Sequence, residues 1–188
     1  PASSSNKLPV GVHRCPVLCD SAISLASRVY NSSIFDTFVD HSVTTMNCGI
    51  IQCKHALPNA LNISVGPESG GERSLQLPAE STMMDVGKQL VSGVVRKRHE
   101  KSPQDEVALN VIGPNVVLRD TQTIDSVFLH SKSCIEGATL VEQCVLFPES
   151  AIRNGSCVRN IILQWNCEIS SNSNVNSSML MERASVGP

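Results

Sequence analysis

Aliphatic residues recur along the chain with a fixed step. Val141 is followed by Leu146, Ile152 and Val158, intervals of five, six and six that define a unit of 17 residues. Running that unit in both directions collects Val107, Ile112, Leu118, Ile124, Leu129, Ile135, Val141, Leu146, Ile152, Val158, Leu163, Ile169, Val175, Leu180 and Val186, and all fifteen are Val, Ile or Leu. With about one aliphatic residue in four, chance fills such a set with odds on the order of one in 10^9.

Three short strands per unit, each centred on an inward aliphatic residue, predict a triangular coil whose successive turns stack as parallel strands. The predicted fold class is all-β, a left-handed parallel β-helix of the hexapeptide type, the exception to the usual right-handed crossover. Its corners need residues that tolerate positive φ or bond their own backbone, and Gly113, Gly137, Asn154, Gly155, Asn172, Asn174 and Gly187 fall there. A sandwich or meander would show alternation of period two and no 17-residue register.

The register also predicts earlier coils. Val29 and Met46 are 17 apart, as are Ile34 and Ile51, and Leu57 and Ile63 continue the six-residue steps. Between the two runs, Met83, Val86, Leu90 and Val94 form one helical stripe, widened by Met84, Val91 and Val95, with Ser81 as the expected cap. The expected organisation is an N-terminal extension over 1–28, first coils over 29–65, a helical insert over 66–106 and further coils over 107–188. The insert's helix, from about Ser81 to Arg98, is expected on the outside of the coil, where Gly87 and Gly93 permit close approach. The basic run Arg96, Lys97, Arg98 and Lys101 suits a solvated helix C-terminus.

The insert "GPESGGERSLQLPAESTMMDVGKQLVSG", followed by "VIGPNVVLRDTQTIDSVFLHSKSCIEGATL", resembles the N-terminal part of a family of long hexapeptide-repeat proteins of bacteria and algae whose function is not established. The resemblance covers roughly residues 29–188, and "ESGGER" and "CIEGAT" are its most specific pieces. It implies the β-helix, a continuation rich in His and Gly beyond Pro188, and no catalytic residues. An unfinished repeat at Val186-Gly187-Pro188 gives the same expectation of a partner, or more of the same chain, at an open C-terminal coil. A homo-oligomer is a further way to cover such an edge.

Composition narrows the partners. A net charge of -2 over 188 residues gives no reason to expect nucleic acid, and no apolar run is long enough for a membrane span. Aromatics are 3% of the chain, so the core must be aliphatic. The first residues, "PASSSNKLP", lack an initiator Met and a signal-peptide core, and the N-terminus reads as processed or cut.

Histidines decide between the chemistries this fold is known for. Acyltransferases of the fold use a His between subunits, and γ-class carbonic anhydrases use three on zinc. Of His13, His41, His55, His99 and His130, only His130 lies in the regular coils, and the equivalent positions on neighbouring coils are Phe147 and Gln164. A zinc site within one chain is therefore not expected, nor any other metal or cofactor. His130 remains as a weak catalytic candidate, a general base needing a partner, against a surface or structural role. No two of Cys48, Cys53, Cys134, Cys144, Cys157 and Cys167 are one coil apart, so these read as small buried thiols of a reducing, intracellular compartment, with Cys15 to Cys19 the one plausible local bridge. "GPESGG" lacks the Lys and Ser/Thr of a phosphate loop. Asn31, Asn62, Asn154 and Asn176 begin glycosylation-type triplets that Asn/Ser-rich turns produce by themselves.

The expected function is a structural or interaction module without a complete active site. The alternative is a hexapeptide-repeat transferase acting on a nucleotide-sugar or acyl donor.

Overall fold

The computed structural model describes residues 9–55, 60–65, 73–92 and 109–187. It is an all-β parallel solenoid with the corner conformations of a left-handed hexapeptide β-helix. Its first face is an eight-stranded parallel sheet: Gly11–His13, Arg28–Tyr30, Thr44–Met46, Val117–Arg119, Cys134–Glu136, Ala151–Arg153, Glu168–Ile169 and Ser185–Val186. The second and third faces share the long strands Thr123–Leu129, Leu140–Leu146, Cys157–Leu163 and Asn174–Leu180. Each of these bends in the middle at a residue of positive φ, namely Ser126, Gln143, Asn160 and Ser177. Earlier coils split the two faces into short strands: Leu18–Cys19, Ser33–Phe35 and Ile50–Gln52 on face two, Ala22–Ile23, Thr37–Val39 and Asn110–Ile112 on face three.

The inward residues are those of the 17-residue register. Ile112, Leu118, Ile124, Leu129, Ile135, Val141, Leu146, Ile152, Val158, Leu163 and Ile169 are wholly buried, Leu180 is buried, and Val175 and Val186 pack against the same core. Val107 lies outside the described residues. Burying each such side chain contributes about 1.5–3 kcal/mol. Small residues fill the inside of the corners, among them Cys48, Cys144, Cys167, Ser133 and Ser150, all buried.

Corner chemistry is broader than Gly and Asn. Gly137, Asn154, Gly155 and Asn172 have the expected positive φ, while Asn174 lies in a strand. Gly113 is required for another reason: a Cβ there would sit 2.7 Å from the Leu129 carbonyl oxygen of the next coil. Asp36, Asp120, Lys132, Glu149 and Arg183 also turn through positive φ, which stacked coils impose on whatever residue occupies the corner.

Several boundaries differ from expectation. The solenoid begins at Gly11, inside the segment expected as an extension, because Val12 pairs with Val29. Val29 pairs with Thr45, not Met46, since this coil has 16 residues and, counted from face one, steps five-five-six rather than six-five-six. Thr45 is thus an inner residue, wholly buried, and its Oγ1 is the one buried side-chain polar atom without a hydrogen bond among the described residues. Ile63 is not in a coil: Ala60–Val65 and Arg73–Pro78 form an antiparallel hairpin in which Ile63 faces Leu75. Leu57 lies outside the described residues.

The excursion leaves the third coil after its second face and returns at Asn110 to supply its third. The helix runs Met83–Ser92. Its cap is Thr82 rather than Ser81: Thr82 Oγ1 accepts from the Asp85 amide at 3.3 Å while Asp85 Oδ2 accepts from the Thr82 amide at 3.0 Å, a reciprocal box that satisfies two donors. Met83 is 71% exposed, so the stripe expected to face the solenoid is open to solvent at its first residue. Val94, the basic run from Arg96 to Lys101, and the "ESGG" segment lie outside the described residues.

Candidate functional site around His130

His130 follows the strand Thr123–Leu129 and lies on the outside of face three, its amide donating to the Leu146 carbonyl at 2.8 Å. Coil stacking places equivalent positions one strand spacing apart, so side chains of suitable shape form rows along the axis. One such row is aromatic. The His130 ring stacks on Phe147 with centroids 4.8 Å apart and 25° between planes, and tilts against Phe128 at 4.7 Å. Phe147 meets the edge of Trp165 at 4.6 Å.

Burial among these rings holds His130 below its ordinary value of 6.5, and the Glu80 carboxylate acts weakly the other way. His130 is therefore neutral at physiological pH, the state a general base needs. Among the described residues none hydrogen-bonds an imidazole nitrogen of His130, the contact by which an acid would orient a general base.

Glu80 belongs to the turn between the hairpin and the helix. That turn is fastened to the solenoid by Gln164, whose Nε2 donates to the carbonyls of Ala79 at 3.1 Å and Ser81 at 2.9 Å. Gln164 is only 5% exposed. Beside it Leu77 packs on Val145, Phe147 and Ile162, with Ala79, Phe128 and Met179 at the margin. The sequence reading named Gln164 only as a missing histidine and did not find this clasp.

It also missed what lies beneath. Residues one position before the inner register of face three pair in the order Ala22, Phe38, Val111, Phe128, Val145, Ile162 and Met179, an unbroken apolar column on the outside of seven coils. The signal was present as the same 17-residue step offset by one, visible from Val111 to Met179. The insert covers its later part. Phe38 is 41% exposed.

The other histidines stand apart from this row. His13 contacts the Val10 carbonyl, His41 pairs with Asp40 at 2.8 Å in solvent, and the His55 amide donates to Ser126 Oγ at 2.9 Å. His99 is outside the described residues. Among the described residues no three His, Cys, Asp or Glu side chains are grouped to hold a metal ion. All eight cysteines are unbridged, Cys15 and Cys19 included, and the Cys19 thiol donates to Asp20 instead. Burial pushes the Cys48 thiol up to about 11 and Cys144 up to about 12, which makes them poor nucleophiles. No described helix is long and apolar enough to cross a membrane.

Comparison with known proteins agrees with the fold. A family described as GlmU-like, C-terminal hexapeptide matches residues 95–185. No curated protein and no solved structure gives a significant match. The coil geometry and that match together make this chain a hexapeptide-repeat β-helix domain, similar over those residues to the hexapeptide portion of GlmU-like proteins.

Proposed function

We propose that this chain is an interaction module, a rigid solenoid that presents face three to protein partners within a longer protein or larger assembly. The observation that supports the reading best is the early part of the apolar outer column: Val145 and Ile162 are buried beneath Leu77, whereas Ala22 and Phe38 continue the same column exposed, Phe38 at 41%. Similarity to the N-terminal part of the long hexapeptide-repeat proteins fits the same reading. The thiols fit a reducing interior, where small buried cysteines persist unbridged.

The transferase reading is carried by the family match and by neutral His130. It requires a donor site and an orienting group from a second subunit beside His130. Two measurements separate the readings. Phe38→Ser should abolish concentration-dependent association seen by light scattering while leaving the strand signal in circular dichroism unchanged. An acyl- or nucleotidyl-transfer activity lost in His130→Ala would overturn the module reading in favour of the enzyme.

A further inference from the structure

The outward strip of face three changes character along the stack. On the later coils Leu77 packs on Val145, Phe147 and Ile162, with Phe128 at the margin, whereas on the first three coils the same column is Ala22, Phe38 and Val111. Ala22 and Phe38 are exposed and Val111 is half-buried. The backbone beneath them is paired within the parallel ladder, Ala22 to Phe38 and Phe38 to Val111, so a partner on this strip meets side chains and adds no strand.

Charge changes with exposure. The corner leading into face three carries Asp20 and Asp36 on the first two coils, and the same corner of the regular coils carries Ser126, Gln143, Asn160 and Ser177. All six turn through positive φ, so the fold asks there for a conformation and not for a charge. On the other side of the strip Asp40 follows Val39, where the equivalent position is Ser24 on the first coil, Gly113 on the third and His130, Phe147, Gln164 and Met181 beyond. Carboxylates therefore flank the strip where it is bare and are absent from these two positions where the insert covers it. Lys54, where the chain leaves the third coil, ends the acidic edge, its amide donating to Asp125 Oδ1 at 3.0 Å.

The spacing sets what fits between the two edges. Asp36 and Asp40 flank the strand Thr37–Val39 and stand about 13 Å apart at roughly 3.3 Å per residue, close to the ~10–12 Å diameter of an α-helix with its side chains. Ala22 and Val111 are separated by two strand spacings, roughly 10 Å, the rise of about two helical turns.

We infer that this strip is the docking site of a basic amphipathic helix on a partner protein: its apolar stripe lies along the coil axis over Ala22, Phe38 and Val111, and Lys or Arg side chains on its flanks reach Asp20 and Asp36 on one edge and Asp40 on the other. Long cationic side chains lay their stems on apolar surface and carry their charges to its margin. A second copy presenting the same strip would set carboxylate against carboxylate, which disfavours it as the occupant. The inference rests on the interaction reading given above and names the partner for the bare half of face three.

The probe is a fluorescein-labelled helical peptide with Leu at every third or fourth residue and Lys on both flanks, beside a twin in which each Lys is Glu; anisotropy is titrated with the whole chain. The Lys peptide should bind about tenfold more tightly than the Glu twin, and less tightly as salt rises. Asp36→Asn combined with Asp40→Asn, which keeps a residue suited to the corner, should remove about tenfold of that affinity and most of its salt dependence. Phe38→Ser should abolish binding. The two peptides on the wild-type chain decide the question even where a variant loses its strand signal in circular dichroism. Equal affinity of the two peptides, failure of both to bind, or unchanged affinity in a folded double variant would overturn the inference. Copies that associate through Phe38 and are not displaced by the Lys peptide would make a second copy the occupant, overturning the inference and leaving the interaction reading in place. A folded Phe38→Ser variant that alters neither peptide binding nor association would remove that reading as well.

Discussion

At the scale of single residues the register makes substitution effects unusually directional. Thr45 occupies an inner position between Val29 and Leu118, and its buried hydroxyl has no partner. Desolvating a hydroxyl without compensation costs more than its methyl replacement, and valine matches the shape. Thr45→Val should raise stability by about 1–2 kcal/mol, read as a later urea midpoint at unchanged slope; a fall would mean the hydroxyl is satisfied in solution. His130 gives a dependence of the same sense as a carboxylate held below its ordinary value, but around pH 6.5. Its folded-state value lies below the ordinary 6.5, so the folded protein binds the proton less readily than the unfolded chain. Stability is full above pH 6.5 and is lost as pH falls through that value toward the depressed one. His130→Phe, which keeps the row with Phe128 and Phe147, should flatten this part of the stability profile relative to wild type. An unchanged profile would place the imidazole in water.

Elements explain which parts of the fold were legible. The core column could be read because inward positions of every regular coil obey one interval, and burial leaves them no freedom to be anything but aliphatic. The corners could be read only partly: Lys132, Glu149 and Arg183 turn through positive φ because the coil above and below hold them there, and nothing in those side chains announces it. The hairpin was missed since Ile63 also satisfies a six-residue step from Leu57. Its own mark was period two, Leu61, Ile63 and Val65 answered by Leu75 and Leu77. Thr82 was passed over for Ser81 because adjacent hydroxyls are indistinguishable without Asp85 three residues on. His130 was legible as the one histidine of the regular 17-residue coils, though His13 proves to lie in a coil strand as well, whereas Gln164 acquires its role only from carbonyls 83 and 85 positions away. The ladder geometry predicts that replacing residues 56–108 by a short flexible linker preserves the solenoid. Circular dichroism should retain the strand signal while solubility drops as Val145, Phe147 and Ile162 are uncovered. Loss of all strand signal would show that the ties at Asp125 and Asn110 need the insert between them.

For the whole molecule, a solenoid couples each coil only to its neighbours, so damage should spread in one dimension and not through a globular core. The coils of this stack are unequally packed. In the first coil Val12 and Leu18 remain 41% and 48% exposed, whereas Leu146, Ile152, Val158 and Leu163 further along are wholly buried between neighbours. The third coil is a seam as well, carrying Thr45 inside and opened by the excursion between Gln52 and Asn110. Placing an unpaired carboxylate in either region tests the coupling, since even Leu→Ala in a core costs about 2–5 kcal/mol and a buried charge costs more. Ile34→Asp should abolish hydrogen-exchange protection in coils up to the seam while Leu140–Leu146 and Cys157–Leu163 stay protected. Leu163→Asp, placed where both neighbouring coils are tightly packed, should instead unfold several coils and remove most of the strand signal. Equal loss of protection along the entire chain in Ile34→Asp would show that the seam transmits as well as any other coil interface, and that the stack folds as one unit despite its one-dimensional contacts.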